Sequence, residues 1–450
     1  MPTTNDWTDD LPDAGRIKIG FTDLDGVLRT KYLSRNKVVA AAGAGLGFCN
    51  VAFQWDINDA LYPEADLFDP GFSDATLRLD GNTLRRLPWE GGVPLVLGDF
   101  RNDPSPVRTF CPRAQLVQLI EKAAAMGLSA RFGPEYEWFV YRGTPSELSA
   151  GGYQKASPVT PGMFGYSGLR TGLLADYHRD LFDQLTGMGV ELEGLHTETG
   201  PGALEAAIAH QDTLEAADRA VLFKQGVKQI SYRHGLVASF MAKPRQDMPG
   251  CGGHLHQSLW RDGKNVFHDA TRPHGISELL EHYLAGQLAL MPELMPLYAP
   301  NVNSYKRYVA GSWAATRANW GIDNRTTALR VVPGGPGSMR LETRVPGADG
   351  NPYLVMAAAL ASGLYGIEHK LQPPHPAVAG SAYGQRIGAE LPKDLGAAAG
   401  AMERGTNGLD SAHLLAPAFR AHYLKTRHHE WAAYQKSVTD WERNRYFELA

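Results

Sequence analysis

His196-Thr197-Glu198-Thr199-Gly200-Pro201-Gly202-Ala203-Leu204-Glu205 sets two carboxylates on either side of a Gly-Pro-Gly turn. Leu204, Ala206 and Ile208 mark a packed strand beginning at that turn, which directs Glu205 to a cavity on the other face. Upstream, Gly133-Pro134-Glu135-Tyr136-Glu137-Trp138-Phe139-Val140 alternates so that Glu135 and Glu137 share a side. Phe139 continues their face and Tyr136, Trp138 and Val140 take the other; a strand apolar on both sides is a buried one. Downstream, Gly253-His254-Leu255-His256-Gln257-Ser258 puts His254, His256 and Ser258 on one face, and Arg340-Leu341-Glu342-Thr343-Arg344 adds another carboxylate. Carboxylates crowded onto buried strands repel one another and lose hydration unless a cation holds them. Several oxygen ligands with one or two imidazoles suit Mg²⁺ or Mn²⁺ better than zinc. A divalent-metal site assembled from distant segments is therefore expected.

Around this framework the composition is ordinary for a globular protein, 43% hydrophobic and 20% charged over 450 residues. That length exceeds one core of usual size, so a small domain (1–108) and a large one (109–450) are expected. A net charge of −4 without a basic stripe argues against nucleic acid. No apolar run reaches membrane-spanning length, and the polar, acidic start lacks the apolar stretch of a signal peptide. Cys49, Cys111 and Cys251 show no metal-type spacing, and an odd count fits a reducing compartment. The cytoplasm is the expected location.

In chain order, Ile17, Ile19 and Phe21 alternate ahead of a turn at Asp25-Gly26, a hairpin pattern. Asp23-Leu24-Asp25-Gly26-Val27 is also similar to the first motif of the haloacid-dehalogenase phosphatases, whose first Asp is a nucleophile. Against that rival, the downstream carboxylates would have no task. Residues 58–106 read as short strands and loops. Leu116, Leu119, Ile120 and Ala123 mark a helix from Pro112 to Gly127. Residues 143–175 read as an exposed loop, and Tyr177, Leu181, Leu185 and Met188 as a second helix. Asp212 with Glu215 resembles a capping box that opens a helix to His234. Strands at 237–242 and 254–260, a helix at 277–291 and a Gly/Pro-punctuated, arginine-bearing region follow. The C-terminal third, from Asn351, is mainly helical with a break at 372–394.

Each acidic feature has a bland reading. An isolated Glu-x-Glu is usually a solvated strand face, Glu198 and Glu205 alone would aid turn solubility, and Glu342 alone would pair with Arg340 or Arg344. A lone core histidine is usually satisfied packing. The arginines weigh against all of these at once. Arg307, Arg325, Arg330, Arg340 and Arg344 are interleaved with Trp320, Leu329, Val331, Val332 and Leu341, unlike a solvated charge run. Planar, permanently charged guanidiniums suit phosphate and carboxylate. Metal-holding carboxylates beside anion-gripping arginines describe phosphoryl transfer. The chain has no Gly-x-x-x-x-Gly-Lys-Ser/Thr, so ATP would not sit in a P-loop. The residues alone lead to a metal-dependent phosphoryl-transfer enzyme.

Gly133–Phe139, His196–Glu205, Phe240-Met241-Ala242-Lys243-Pro244, Gly253–Ser258, Asn303-Ser304-Tyr305-Lys306-Arg307, Asn324-Arg325 to Arg330, Arg340–Arg344 and Asn351-Pro352-Tyr353 together resemble the glutamine synthetase family, in its order and over essentially the whole chain. The resemblance implies an α+β fold, with a small N-terminal β-grasp domain before a large catalytic domain of curved antiparallel sheet and flanking helices. It turns the Asp23–Val27 motif into a family turn. It implies that Glu137, Glu198 and Glu205 bind the metal activating the acyl phosphate, and that Glu135, His254 and Glu342 bind the metal orienting the ATP γ-phosphate. Two or three Mg²⁺ or Mn²⁺ ions per site follow. Arg307, Arg344 and the backbone at Gly250 would hold L-glutamate. Arg325, Arg330 and Arg340 would balance phosphate charge, with His256 and Ser258 on the nucleotide side. The implied reaction is phosphorylation of the glutamate γ-carboxylate by ATP, then attack of an amine on γ-glutamyl phosphate.

The departures narrow this further. Trp313 stands where the family has a flap glutamate that binds and deprotonates ammonium, while Asp56 and Tyr166 match the aspartate and tyrosine beside it. Tryptophan removes one charge and offers a broad, cation-attracting apolar face, which suits a small primary amine carrying carbon. The sequence is thus most similar to the γ-glutamyl-amine ligase branch, with Asp56 the expected base. Pro249-Gly250-Cys251-Gly252-Gly253 replaces the usual Asn-Gly-Ser-Gly, and Ala389 replaces a tyrosine that accepts AMP in some bacterial members. The resemblance also implies a homo-oligomer, a dodecamer of two stacked hexameric rings, in which Asp56 reaches a neighbour's active site. Two other readings stay open: glutamine synthetase using ammonia, and an inactive glutamate- or nucleotide-sensing homologue.

Overall fold

Alternation builds the first sheet. Ile17, Ile19 and Phe21 are buried on the strand Arg16–Thr22, which pairs antiparallel with Leu28–Ser34 as the hairpin pattern requires. The structure, a computed structural model, describes residues 7–13, 15–409 and 415–449. This sheet has six strands, in the order Leu28–Ser34, Arg16–Thr22, Val93–Asp99, Asp74–Leu79, Leu46–Cys49, with Arg85–Leu87 added to Val93–Asp99. Arg16–Thr22 and Val93–Asp99 run parallel. The turn consumes Asp23: its carboxylate accepts from the amides of Asp25 (3.1 Å) and Val27 (2.9 Å) and from Arg29 Nε (2.7 Å). Burial, with Asp25 adding to it, pushes its pKa up to about 6 against the pull of Arg29. An aspartate so engaged shapes a turn, which sets the phosphatase reading aside.

The second sheet has eleven strands. Its path is Trp320–Ile322, Leu329–Val332, Arg340–Thr343, Gly253–Arg261, Ser129–Arg142, Ala203–Ile208, Leu192–Thr197. Trp320–Ile322 lies parallel to Leu329–Val332, so the sheet is mixed where a wholly antiparallel one was expected. Asn319 causes this by catching the returning chain: its main-chain and side-chain oxygens accept from Leu329 N and Ala328 N, both at 3.0 Å. The expected strand at 237–242 is shorter, Leu236–Ser239, because Phe240 turns inward against Tyr136 and Trp138.

Helices cover the sheet. The expected helices appear as Pro112–Ala125, Ala175–Gly187 and Thr213–Arg233. The last has no capping box, since Asp212 lies 3.5 Å from Arg131 while Glu215 is held by Arg85 and Arg219. Residues 143–175 are mostly exposed but contain two short helices, Pro145–Ala150 and Gly168–Leu173. The helix expected to stop at 291 is Glu278–Tyr298, running through Pro292 and Pro296. Burial of Leu294, Met295, Leu297 and Tyr298 outweighs the two missing amide donors. It packs on Pro352–Glu368 so closely that a Cβ on Gly286 would lie 2.1 Å from Ser362 O. Residues 372–394 are irregular, as expected, and Ala389–Glu390 pairs with Arg317–Ala318. Among the described residues no helix is long and apolar enough to cross a membrane.

Candidate active site

The register of the second sheet gathers the chemistry into one band. Glu205 lies opposite Glu137, Glu135 opposite His254, His256 opposite Glu342, and Glu342 opposite Arg330. Side chains on one face of neighbouring strands are close by construction, so residues scattered from 135 to 342 become neighbours.

Two ligand clusters result. In one, Glu135, His254 and Glu342 have donor atoms within 4.8 Å of one another. His254 Nδ1 lies 2.8 Å from Glu135 Oε1 and 3.7 Å from Glu342 Oε1. In the other, His196, Glu198 and Glu205 meet the same limit, with His196 Nε2 at 3.4 Å from Glu205 and 3.7 Å from Glu198. Glu137 borders this second cluster from the facing strand, its Oε2 accepting from Gly252 N at 2.8 Å. His196 was missing from the sequence reading although it opens the decisive stretch. The signal was there: His196, on the strand Leu192–Thr197, stands two residues before Glu198, just past its end.

The electrostatics of both clusters ask for a cation. Burial raises the Glu205 pKa strongly, and the charges of Glu135, Glu137 and Glu198 raise it further against Arg344. Burial also opposes ionisation of Glu135, yet His254 and His256 hold it well below the usual carboxylate range. His196 Nε2 is buried and has no hydrogen-bond partner. Converging carboxylates with an imidazole in each cluster, the one at His196 left unpartnered, fit a divalent ion.

Behind the clusters stands the arginine wall. Glu342, 1% exposed, receives Arg330 Nη1 at 3.1 Å and Arg344 Nη1 on opposite oxygens. Burial raises its pKa, but Arg344 and the two histidines bring it below the ordinary value. Arg344 Nε donates to Arg325 O (3.1 Å), which leaves Nη2 without a protein acceptor among the described residues. Arg307 is buried, its Nη nitrogens donating to Val345 O (2.8 Å) and Arg344 O (3.1 Å). Arg330 also grips Asp323, whereas Arg325 stands exposed. Arg340 Nε donates to His256 Nδ1 at 3.1 Å, and His256, Ser258 and Arg340 line a cavity of about 330 Å³ with Trp260 and Arg131.

The glycines of the 249–253 loop are required by contact. A Cβ on Gly250 would lie 2.6 Å from Arg307 Cγ, and one on Gly252 would lie 2.7 Å from His254 Nε2 and 3.0 Å from Glu137 Oε1. Two large aromatic residues adopt the left-handed conformation, Tyr166 (φ 53°) beside the second cluster and Trp313 (φ 59°) next to Ser312, whose hydroxyl donates to Arg307 O at 3.0 Å. Non-glycine residues rarely adopt it, and such strain collects at functional sites. Both are open to solvent, at 76% and 60%. Tyr166 stacks on His196 with centroids 4.3 Å apart and planes at 10°. Its amide donates to Thr197 O at 2.7 Å, which ties it to the end of the strand carrying His196. Asp56 is not brought to this band within the chain. Its carboxylate caps its own loop through Asn58 N (2.8 Å) and Ala60 N (2.9 Å).

The profile of the glutamine synthetase catalytic domain matches residues 109–446. The chain belongs to the glutamine synthetase family. It is 41% identical over 443 residues to type-1 glutamine synthetase 2 of Dictyostelium discoideum, covering 96% of this chain and 84% of that one. It is 36% identical to a glutamate–isopropylamine ligase of a Pseudomonas species, covering 96% and 95%. A γ-glutamylethanolamide synthetase, GlnA4 of Streptomyces coelicolor, is also 36% identical, covering 97% and 93%. Among solved structures, a GmaS/ADP complex superposes with a TM-score of 0.83 at 29% identity over 96% of both chains. With these relatives the protein is an ATP-dependent glutamate–amine ligase.

Proposed function

We propose that the protein joins the γ-carboxylate of L-glutamate to a small primary amine carrying a carbon substituent, at the expense of ATP and through γ-glutamyl phosphate. The observation that carries this reading is the band in which two carboxylate–imidazole clusters meet a wall of arginines on Glu342. Glu135, His254 and Glu342 would hold one Mg²⁺ or Mn²⁺, and Glu137, Glu198 and Glu205, with His196 beside them, another. Bound there, the ions supply the positive charge that stabilises phosphoryl transfer. Arg344, with its open Nη2, would orient a glutamate carboxylate, backed by the charge of Arg307 and the main chain at Gly250. Arg325, Arg330 and Arg340 would meet the phosphate charge, and the cavity beside His256 and Ser258 would take the nucleotide. Residues 1–108 serve as a β-grasp domain in this reading. Asp56 acts as base in the site of a neighbouring subunit of a ring-shaped, cytoplasmic dodecamer.

Exposed Trp313 and Tyr166 support an amine with an apolar group, as do relatives named for isopropylamine and ethanolamide. The test is ADP release with glutamate against ammonia, alkylamines, ethanolamine, anilines and diamines. ADP release that requires glutamate and favours a carbon-bearing amine over ammonia is expected; equal efficiency with ammonia would return the assignment to glutamine synthetase. Trp313→Glu should raise the use of ammonia relative to the preferred amine by about tenfold or more, the scale of a pocket's discrimination for small groups. An unchanged ratio would end the role of Trp313.

A second substitution examines the loop at Gly252. Its alanine Cβ would crowd His254, Glu137 and Arg307 Nη2 at 2.7, 3.0 and 3.2 Å. Gly252→Ala should leave the circular dichroism spectrum intact while lowering ADP release by about a hundredfold, since displacements of this size disrupt reacting geometry. Near-native turnover would mean that the clusters tolerate a shifted loop.

A further inference from the structure

A second cavity, of about 720 Å³, lies apart from the band that carries the chemistry. No residue given to the ion clusters, the arginine wall or the nucleotide cavity lines it. Its walls come from the turn at Asp25–Leu28, the helix Thr213–Arg233, the strand Leu236–Ser239 with Phe240 and Met241, the loop at 301–306, and Tyr434. Lys224 Nζ, on that helix, lies 5.7 Å from the ring centres of both Tyr136 and Phe240. Tyr136 alternates with Glu135 and Glu137 along its strand, so this is the face of the sheet turned away from the ion clusters. Lys228, Lys306, Tyr153 and Ile57 belong to the lining and are exposed, so the cavity is open to solvent.

The charges around this cavity do not cancel. Asp25 is spent on Arg427 (2.7 Å), Arg245 on Asp247 (2.7 Å), and Asp349 accepts from Asn301 Nδ2 (2.9 Å) and Ser304 Oγ (2.5 Å). Lys224 donates only to an uncharged acceptor, Gly350 O at 3.1 Å. Among the described residues neither it nor Lys228 nor Lys306 pairs with a carboxylate, which sets three ammonium groups against Glu430. Two of the three converge: Lys224 and Lys228 are one helical turn apart, and their Nζ atoms lie 5.7 and 5.8 Å from the same Phe240 ring. Burial, with Lys228 adding to it, brings the Lys224 pKa down to about 7 against the pull of Asp349, the mark of a cation short of counter-charge. Val221, Val237, Ala238, Phe240, Met241 and Val302 make the rest of the wall apolar. A volume of this size, apolar with a few convergent polar groups, is that of a small-molecule site. We propose that it binds an organic acid, the carboxylate between Lys224 and Lys228 and the apolar body along Val237, Ala238 and Met241. An amine would be repelled by the same two lysines, so this is not a second place for the acceptor of the ligase.

The probe is 4-phenylbutyrate, titrated calorimetrically into the whole protein in the presence of glutamate, a non-hydrolysable ATP analogue and Mg²⁺, so that the active site is already filled. The acid should bind under these conditions and 4-phenylbutylamine should not. Lys228→Met changes an exposed position, and Lys224→Met puts an apolar chain of similar shape where a half-buried cation stood. Each should weaken binding of the acid by about ten- to hundredfold, as for a lost hydrogen bond to a charged group. No binding of the acid to the filled protein, equal binding of the amine, or an affinity unchanged in either variant would overturn the site. A changed sedimentation of Lys228→Met would make this face a contact between copies of the chain, and would overturn it as well.

Discussion

Glu342→Gln will lower glutamate-dependent ADP release by about a thousandfold and weaken Mn²⁺ binding in an electron paramagnetic resonance titration. The size follows from position. One carboxylate, 1% exposed, belongs to the cluster with Glu135 and His254 and also receives Arg330 and Arg344. The amide keeps the shape but removes the charge, so it loosens the ion and takes a shared counter-charge from both guanidiniums. Removing one preorganised group from a water-poor site costs about a hundred- to thousandfold, and here two functions go at once. The glutamine side chain limits the loss of stability that alanine would add by leaving Arg344 without a carboxylate and Arg330 with Asp323 alone. Glu278→Gln, on an exposed helix start, serves as the control and should be silent. Mn²⁺ affinity unchanged in Glu342→Gln would remove Glu342 from the cation site, whatever happened to turnover.

Much of this band could be read before folding was considered. Period-two alternation placed Glu135 with Glu137 and His254 with His256, and residue chemistry supplied the cation. What alternation cannot give is register. Nothing local says that Glu205 faces Glu137 or that His256 faces Glu342; those pairings are set by how strands distant in sequence align. The same limit explains His196, whose neighbour Glu205 sits across the Gly-Pro-Gly turn. Helix ends failed for a different reason. Pro292 and Pro296 are stop signals in isolation, but the buried face of Glu278–Tyr298 against Pro352–Glu368 overrides them. Asp212 lost its capping role to an arginine on the neighbouring strand.

Arg113 is the element least visible in the sequence, and its substitution should do the greatest damage to the fold. Read alone it is a helix-start arginine after Pro112, a place for a solvated charge. Folded, it is 2% exposed and joins the two sheet systems. Nη1 donates to Asp99 (2.7 Å), Nη2 to Asp80 (2.8 Å), and Nε and Nη2 to the two oxygens of Asp218 (3.0 and 2.9 Å). Tyr353 adds a hydrogen bond to Asp218 at 2.6 Å, so the residues from Asp80 to Tyr353 meet at one guanidinium. Arg113→Met preserves bulk but leaves Asp218 buried without a counter-charge and Asp99 with Arg101 alone (3.1 Å). Breaking a buried pair from one side costs about 3–5 kcal/mol, far more than the pair itself contributes relative to apolar packing. The first transition in urea, followed by tryptophan fluorescence, should therefore move to markedly lower denaturant. The double variant Arg113→Met/Asp218→Asn should recover part of that loss, because the penalty lies in the orphaned Asp218 carboxylate and not in the missing arginine. If the double variant is no more stable than Arg113→Met alone, the junction acts through packing, and the electrostatic account of how the two sheets are held together fails.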